Sequence, residues 1–359
     1  MAIRQQKPQS SLFDEFLRNS PENTTLDRIN QIVDWAHLRN LIAPTYGEAQ
    51  AGGGFSYDPV ILAKMLLLES LYNLSDVRCA RECADRLSFR RFLGLSLECS
   101  VPDDTTIVRF RERLRKNKLH EVIEKEILAM IRRKGLSIKP GAIIDATVIP
   151  AATRPAKSKE DESVPVEETR VSPTTGTGEE ENPDQEAAKQ DSLSEPSARS
   201  YVDTDANFVK KGGRTYFGYK LHLARVFLIG LIQNWVVTRA SVNDINVFGE
   251  LLEGDEPRVL ADRGYPCEKN HKAVAAIGAK DLIMKKVTKK TRLLQPIIQE
   301  WNGLVSRYRS EIENTFANLK RWRGLGRARY LGLEKMQGQV AWSVAAHNLL
   351  IGSKKLFNE

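Results

Sequence analysis

Helical periodicity dominates the first third of the chain. Apolar residues recur about every three to four positions over residues 26–42, which predicts one helix there. Pro59 is tolerated in a first helical turn and predicts a second helix over residues 60–71. Ser75 is a typical N-cap and precedes a third predicted helix, residues 76–87. We therefore expect residues 1–135 to form an all-helical N-terminal domain.

A basic helix is predicted near the end of that domain. Asp104 or Thr105 can cap a helix that displays arginines at alternating positions, among them Arg109 and Arg111. Short helices followed by a capped basic helix resemble a helix-turn-helix, whose second helix enters the major groove of DNA. The alternative is a helical support domain whose arginines face water.

The pattern changes to strands from Gly141 onward. Residues 142–149 form a nearly continuous apolar run, which is typical of a strand buried on both faces. Further strands are predicted over residues 215–224, 231–240, 258–262 and 281–286, with helices over 243–252 and 267–277. Residues 294–350 are expected to be helical, apart from a break rich in glycine and arginine over 324–332. This order predicts an α/β domain over residues 136–355, with a mixed five-stranded sheet and flanking helices.

One segment interrupts this second domain. Residues 154–200 are rich in Glu, Pro, Ser, Thr and Gly and contain almost no large apolar residues. Such a composition cannot bury enough apolar surface to offset the entropy of ordering, so it predicts an acidic disordered insertion.

Charge and composition narrow the class of protein. The 359-residue chain has a net charge of +8, but residues 154–200 carry −6, so the remainder carries +14. A body of that charge suits a polyanionic partner such as nucleic acid. The longest apolar runs are too short to span a bilayer, so no membrane association is expected. The four cysteines lack a second pair with zinc-finger spacing and are expected to be reduced thiols of a cytoplasmic protein.

Three carboxylates stand where a carboxylate is locally unfavourable. Asp145 interrupts the apolar strand of residues 142–149, and Asp262 ends the strand of residues 258–262. Glu313 lies in a helix, one turn after Arg309 and two turns before Lys320. A buried carboxylate is costly unless it is paired or metal-bound. If the two strands are neighbours, both aspartates reach one edge of the sheet.

Such a set suggests a site for a hard divalent cation that acts on phosphate. Mg²⁺ prefers oxygen ligands, and two such ions can activate a nucleophile and stabilise a leaving oxygen. Arg309 and Lys320 could hold phosphates. Taken singly, each carboxylate is more simply explained as a turn, cap or surface-pair residue. Glu311 is an alternative to Glu313, but only Glu313 shares its helix face with Arg309 and Lys320.

The same residues carry a family resemblance. The segments around Asp145 and Asp262, together with the Arg309-x3-Glu313-x6-Lys320 helix, resemble the three blocks of bacterial DDE (Asp-Asp-Glu) transposases, and most of all those of the insertion sequence 5 group. Related blocks extend the resemblance over residues 26–350, apart from the acidic insertion. A related pattern has Tyr three residues before the arginine, where this chain has Ser306.

The resemblance implies an RNase H-like catalytic domain and a DNA transposase. It implies that Asp145, Asp262 and Glu313 hold Mg²⁺, with two ions in all and Mn²⁺ as a possible substitute. The expected partners are double-stranded DNA, as terminal inverted repeats and target, and a second copy of the chain in a homodimer or larger assembly on the nucleoid. The alternatives are a plain metal-dependent nuclease and an inactive DNA-binding derivative.

Further cations are expected to contact DNA. They lie in a lysine run and in the break that precedes the last helix, namely Lys285, Lys286, Lys289, Lys290, Arg327 and Arg329. Lysines that bind backbone phosphate add affinity without reading sequence, although a solvated loop is the plain alternative.

Overall fold

The computed structural model describes residues 24–46, 56–137, 139–155, 202–289 and 291–357. The described parts of Met1–Ala152 and Thr204–Glu359 form one compact unit, and Thr153–Asp203 groups separately. Most of the predicted acidic insertion therefore lies outside the described residues, as does Lys290. Across the described ranges, no helix combines the length and apolar character needed to cross a membrane.

The described residues of the N-terminal part of the compact unit form seven α-helices, and their helical character is as the apolar pattern predicted. They are α1 Thr24–Ile32, α2 Trp35–Ile42, α3 Pro59–Tyr72, α4 Asp76–Asp85, α5 Leu87–Leu93, α6 Asp104–Lys116 and α7 Leu119–Arg133.

Local capping explains where these helices differ from the predicted ones. The single helix expected over residues 26–42 is wrong, because Asp34 ends it by capping α2, accepting a hydrogen bond from the His37 N–H at 3.0 Å. The N-cap of α6 is Asp103, which accepts from the Thr106 N–H at 2.8 Å, so neither Asp104 nor Thr105 holds that position. Ser75 caps α4 as predicted.

The second half of the unit is a mixed sheet of six strands. They are β1 Ala142–Pro150, β2 Asn207–Lys211, β3 Arg214–Val226, β4 Ile232–Arg239, β5 Arg258–Ala261 and β6 Lys280–Ile283. The prediction of five strands missed β2, which pairs with the first part of β3 across the turn at Gly212 and Gly213. Both glycines have positive φ values, which the turn requires and which residues with a Cβ rarely adopt.

The order of strands places β1 at the centre of the sheet. The path is β2-β3-β1-β5-β6, and β4 pairs with the second part of β3. Strand β1 is antiparallel to β3 and parallel to β5. Its apolar residues are buried on both faces, which accounts for the continuous apolar run that predicted it.

Four α-helices complete the described part of the unit. They are α8 Asp244–Val247, α9 Glu268–Ala276, α10 Gln295–Trp322 and α11 Leu333–Leu356. Helix α11 contributes Trp342, Ala345, Ala346 and Leu349 to the same buried core as the N-terminal helices. A smaller core lies around Phe248 and Tyr265, beside β1 and β5. The boundary proposed at residues 135 and 136 remains a prediction about chain organisation.

Candidate active site

The sheet brings Asp145 and Asp262 together. In the parallel pairing of β1 with β5, Ile143 lies beside Leu260 and Ile144 beside Ala261. Asp145 and Asp262 are the next residues along the two strands, so they follow at the same level. The expectation that these strands are neighbours is thereby confirmed.

Arg309 of α10 contacts both aspartates. One guanidinium nitrogen donates to Asp145 Oδ2 at 2.6 Å and lies 3.9 Å from Asp262 Oδ2. The Arg309 and Asp145 side chains are only 12% and 16% exposed, whereas that of Asp262 is 36% exposed. The pair is therefore poorly screened by water, and each charge depends on the other for stabilisation.

Backbone amides hold the remaining carboxylate oxygens. Asp145 Oδ1 accepts from the N–H of Ala146 at 2.8 Å, and Asp262 Oδ1 accepts from the N–H of Gly264 at 2.5 Å. A Cβ at position 264 would lie 2.8 Å from that Asp262 oxygen, so a side chain there would force the carboxylate to shift. Both carboxylates are thus fixed in direction as well as in position.

The electrostatic balance at Asp145 favours a proton more than at an ordinary aspartate. Burial raises the pKa of Asp145, and the neighbouring charge of Asp262 adds to the rise. The Arg309 guanidinium and the Ala146 amide act in the opposite direction but do not fully offset the burial. A buried carboxyl with a perturbed pKa in a charged cluster is a feature of functional sites.

Glu313 lies one helical turn beyond Arg309 on α10. Its side chain is exposed and has no hydrogen-bond or ion-pair partner among the described residues. Glu311, the alternative, is engaged elsewhere, because it forms an ion pair with Arg225 of β3. No described contact joins Glu313 to either aspartate. The structure leaves Glu313 unpaired among the described residues and occupies Glu311 in a structural contact.

The donor set suits a hard divalent cation, although it is not a closed cage. Among the residues that the structure describes, no group of three His, Cys, Asp or Glu side chains is arranged to hold a metal ion. Asp145 within β1 and Asp262 directly after β5 supply carboxylate oxygens, and Glu313 has no competing partner among the described residues. Mg²⁺ is commonly bound by one or two carboxylates together with water and substrate phosphate, so these residues fit it.

The other predicted DNA-contacting residues separate into two groups. Three have intramolecular partners: Arg111 pairs with Glu69 and Asp76, the exposed Arg327 donates to the Ala151 and Ala152 carbonyls, and Arg329 donates to Leu74 and Asn73. The others reach the surface at least in part, namely Arg109, Lys285, Lys286, Lys289 and Lys320.

Lys320 is half-buried, two turns beyond Glu313. Burial lowers the pKa of its ammonium group, and the nearby charge of Lys211 on β2 lowers it further. Two cations at this end of α10 form a basic position without a paired acid among the described ion pairs. Such a position favours an anionic ligand.

Two further features lie outside the predicted set of site residues. The Tyr265 hydroxyl is buried without a hydrogen-bond partner in the described structure, and burial followed by the charge of Asp145 raises its pKa. Lys220 binds Asp244 at 2.9 Å, and His222 Nδ1 lies 3.8 Å from the same carboxylate. Tyr265 follows Asp262 within the same short block, which is the only local signal that could have marked it.

The geometry defines a class of protein: an RNase H-like mixed sheet with one aspartate on its central strand and a second directly after the neighbouring parallel strand. Residues 136–349 match the family described as Transposase DDE domain, and residues 14–113 match Transposase domain (DUF772). Because the first match covers more than half of the chain, this chain belongs to the DDE transposase family. No solved structure matches it. Assignment to the insertion sequence 5 group remains a prediction.

Proposed function

We propose that this DDE transposase binds terminal inverted repeats and catalyses Mg²⁺-dependent cleavage and strand transfer of an insertion sequence. The observation that carries the proposal is the pair of aspartates on adjacent strands, joined by Arg309, in a chain of this family. We further propose Asp145, Asp262 and Glu313 as the metal ligands. Mg²⁺ bound there would supply Lewis-acid stabilisation of the phosphate and of the attacking oxygen.

Arg309 has the role of a positioning residue in this proposal. It holds the Asp145 carboxylate at 2.6 Å and keeps the Asp262 carboxylate within 3.9 Å, so both remain directed toward one point. Its positive charge also favours the ionised form of Asp145, which is the form that can bind a cation. The same charge could attract a phosphate that approaches the two carboxylates.

The DNA-contacting surface is proposed from the cations that are not engaged inside the protein. Lys320 extends the α10 face beyond Glu313, and Lys285, Lys286 and Lys289 lie on the segment before α10. Arg109 is exposed on α6, consistent with a backbone contact. Arg111, Arg327 and Arg329 are omitted, because their guanidinium groups already bind carboxylates or carbonyl oxygens. A DNA substrate would place the protein on the bacterial nucleoid.

A strand-transfer assay tests this function. Pre-cleaved ends with free 3′-hydroxyl groups are incubated with target DNA and Mg²⁺, and joined products are expected. A plain nuclease would give only cut products, which would refute the transposase proposal. Asp262→Asn should abolish joining while DNA binding survives, and retained joining would remove Asp262 from the metal site.

The third ligand has a matched control on the same helix. Glu313→Gln should abolish cleavage without changing the melting temperature, because its side chain is exposed and unpaired among the described residues. Glu311→Gln should retain cleavage but reduce stability, because it removes the ion pair with Arg225. The reverse pattern, with Glu311→Gln inactive and Glu313→Gln active, would exchange the two assignments.

A further inference from the structure

Helix α10 carries two apolar stripes, of which one is buried and the other is largely exposed among the described residues. Ile298, Val305 and Ile312 form the inner stripe and are buried. The second stripe, here called the outer seam, consists of Leu294, Ile297, Trp301, Leu304 and Tyr308. Within it Ile297 is 64% exposed, and Leu304 and Tyr308 are each 49% exposed. A contiguous exposed apolar stripe of this kind marks an interaction surface.

The spacing of the outer seam is that of a coiled-coil contact. Its members follow one another at intervals of three, four, three and four residues, starting from Leu294 just before α10. This is the heptad pattern of alternating a and d positions, with Trp301 at an a position and Leu304 at a d position. A stripe of two residues in seven fits one partner helix.

We propose that the outer seam packs against the same seam of a second copy of this chain, with the two α10 helices antiparallel about a two-fold axis. In this register Trp301 faces Leu304 of the partner subunit, and Ile297 faces Tyr308 of the partner subunit. Every contact occurs twice, as the symmetry of an isologous interface requires. The seam is thus its own complement, because large aromatic residues face aliphatic ones.

Charge complementarity supports the second copy as the occupant. Glu300 and Arg307 are exposed and occupy the g positions that flank the seam. In the antiparallel register, g positions face g positions, so Glu300 meets Arg307 of the partner subunit on both sides of the axis. Opposite charges at these positions set the choice and orientation of a coiled-coil partner. Two copies of the outer seam therefore match each other in charge as well as in apolar contacts.

The proposed contact leaves the candidate active site open. At about 100° of rotation per residue, Glu313 and Lys320 lie on the far side of the inner stripe from the outer seam. Two side-chain contacts hold the seam rings in place: Tyr308 packs edge-on against Phe227 at 5.2 Å, and Lys285 lies 5.3 Å from the Trp301 ring centre. The outer seam therefore lies on a different side of α10 from the candidate metal ligand Glu313.

The first test is the mass of the full-length chain in solution without DNA, so that it does not depend on the proposed chemistry. Sedimentation should give a dimer of twice the 40.5 kDa chain mass at micromolar concentration. Leu304→Glu should raise the dimer dissociation constant at least about tenfold. Gln299→Glu is the matched control, because it adds one charge to an exposed position of α10 outside the seam. It should leave the constant unchanged.

A charge exchange makes the test independent of any loss of folding. Glu300→Arg alone should weaken the dimer about threefold to tenfold, and so should Arg307→Glu alone. The double variant restores the opposite pairing across the axis and should return the constant to within about twofold of the original.

Four outcomes would overturn the proposal. One is a chain that stays monomeric at every concentration, and another is a double variant no stronger than the single ones. The third is Leu304→Glu lowering the melting temperature without changing the mass, which would mean that a segment of the same chain covers the seam. The fourth is Leu304→Glu reducing only DNA binding, which would assign the seam to DNA.

Discussion

The contact between Arg309 and Asp145 predicts a pH-dependent loss of stability in Arg309→Met. The pair is hydrogen-bonded at 2.6 Å, and its side chains are 12% and 16% exposed, so the small energies typical of surface pairs do not apply. With charge centres about 4 Å apart and an effective dielectric constant of about 20, the attraction is about 4 kcal/mol. Methionine keeps most of the apolar contact and removes this attraction.

The expected loss is about 3 kcal/mol at neutral pH, in line with removal of one partner from a buried pair. It is smaller than the full attraction, because Asp145 can bind a proton once its counter-charge is gone. Burial already raises the pKa of Asp145, and losing Arg309 raises that pKa further. Protonation of Asp145 removes the unpaired buried charge, so the free energy of unfolding lost in Arg309→Met should be small near pH 4. The loss should grow as the pH rises through the pKa of Asp145 in the wild type and then in the variant.

Urea unfolding at a series of pH values measures the effect. Lys272→Met is the matched control, since Lys272 and Glu268 form an ion pair whose side chains are 75% and 82% exposed. The control should lose well under about 1 kcal/mol at every pH. An equal loss in Arg309→Met near pH 4 and at neutral pH would refute the electrostatic account. So would a neutral-pH loss no larger than that of the control.

Three further predictions concern other parts of the chain. Burial lowers the pKa of Lys64 to about 8, so the native state binds that proton less tightly than the unfolded chain does. The free energy of unfolding should therefore rise by about 3 kcal/mol between about pH 8 and pH 10. Lys64→Met should remove this rise in urea titrations. Arg111→Met should cost about 3 kcal/mol, because Arg111 pairs with two acids at 14% exposure, whereas Arg109→Met should leave stability unchanged and weaken DNA binding in filter-binding assays. Deleting residues 157–198 should leave one cooperative melting transition, as their composition predicts.

Each of these has an outcome that contradicts it. A Lys64→Met variant with the same alkaline rise as wild type would assign that rise to another group. Arg109→Met losing as much stability as Arg111→Met would place Arg109 inside a packed contact. A broad, non-cooperative transition after the deletion would mean that residues 157–198 contribute to the fold.

Local patterns predicted most of the elements, and the errors have local causes. The apolar period continued through residues 26–42, but the Asp34 side chain accepts a backbone N–H and starts a new helix, which periodicity alone does not register. Strand β2 was missed because Asn207–Lys211 has mostly exposed side chains and pairs along one edge only. Strand β2 is held by backbone pairing with β3, and its own apolar pattern does not report that pairing.

The candidate site likewise combines positions that local sequence predicts with contacts that only the tertiary structure creates. The positions of Asp145 and Asp262 within strands, and of Glu313 on a helix with Arg309, could be inferred from sequence. The role of Arg309 could not, because its partner Asp145 is 164 residues away in the chain. The internal contacts of Arg111 and Arg329 were missed for the same reason, since a basic residue looks alike in sequence whether it faces DNA or a buried carboxylate.

By itself, the sequence determined the helical first third and the apolar strand that contains Asp145, because periodicity, capping and composition act over a few residues. Its resemblance to DDE transposases singled out the three carboxylates as candidate ligands. Only the tertiary structure decided that Arg309 joins the two aspartates, that Glu311 binds Arg225, and that α10 leaves an apolar seam exposed. Those outcomes depend on which distant groups are brought within a few ångströms, because ion pairing and burial are properties of packing rather than of local sequence.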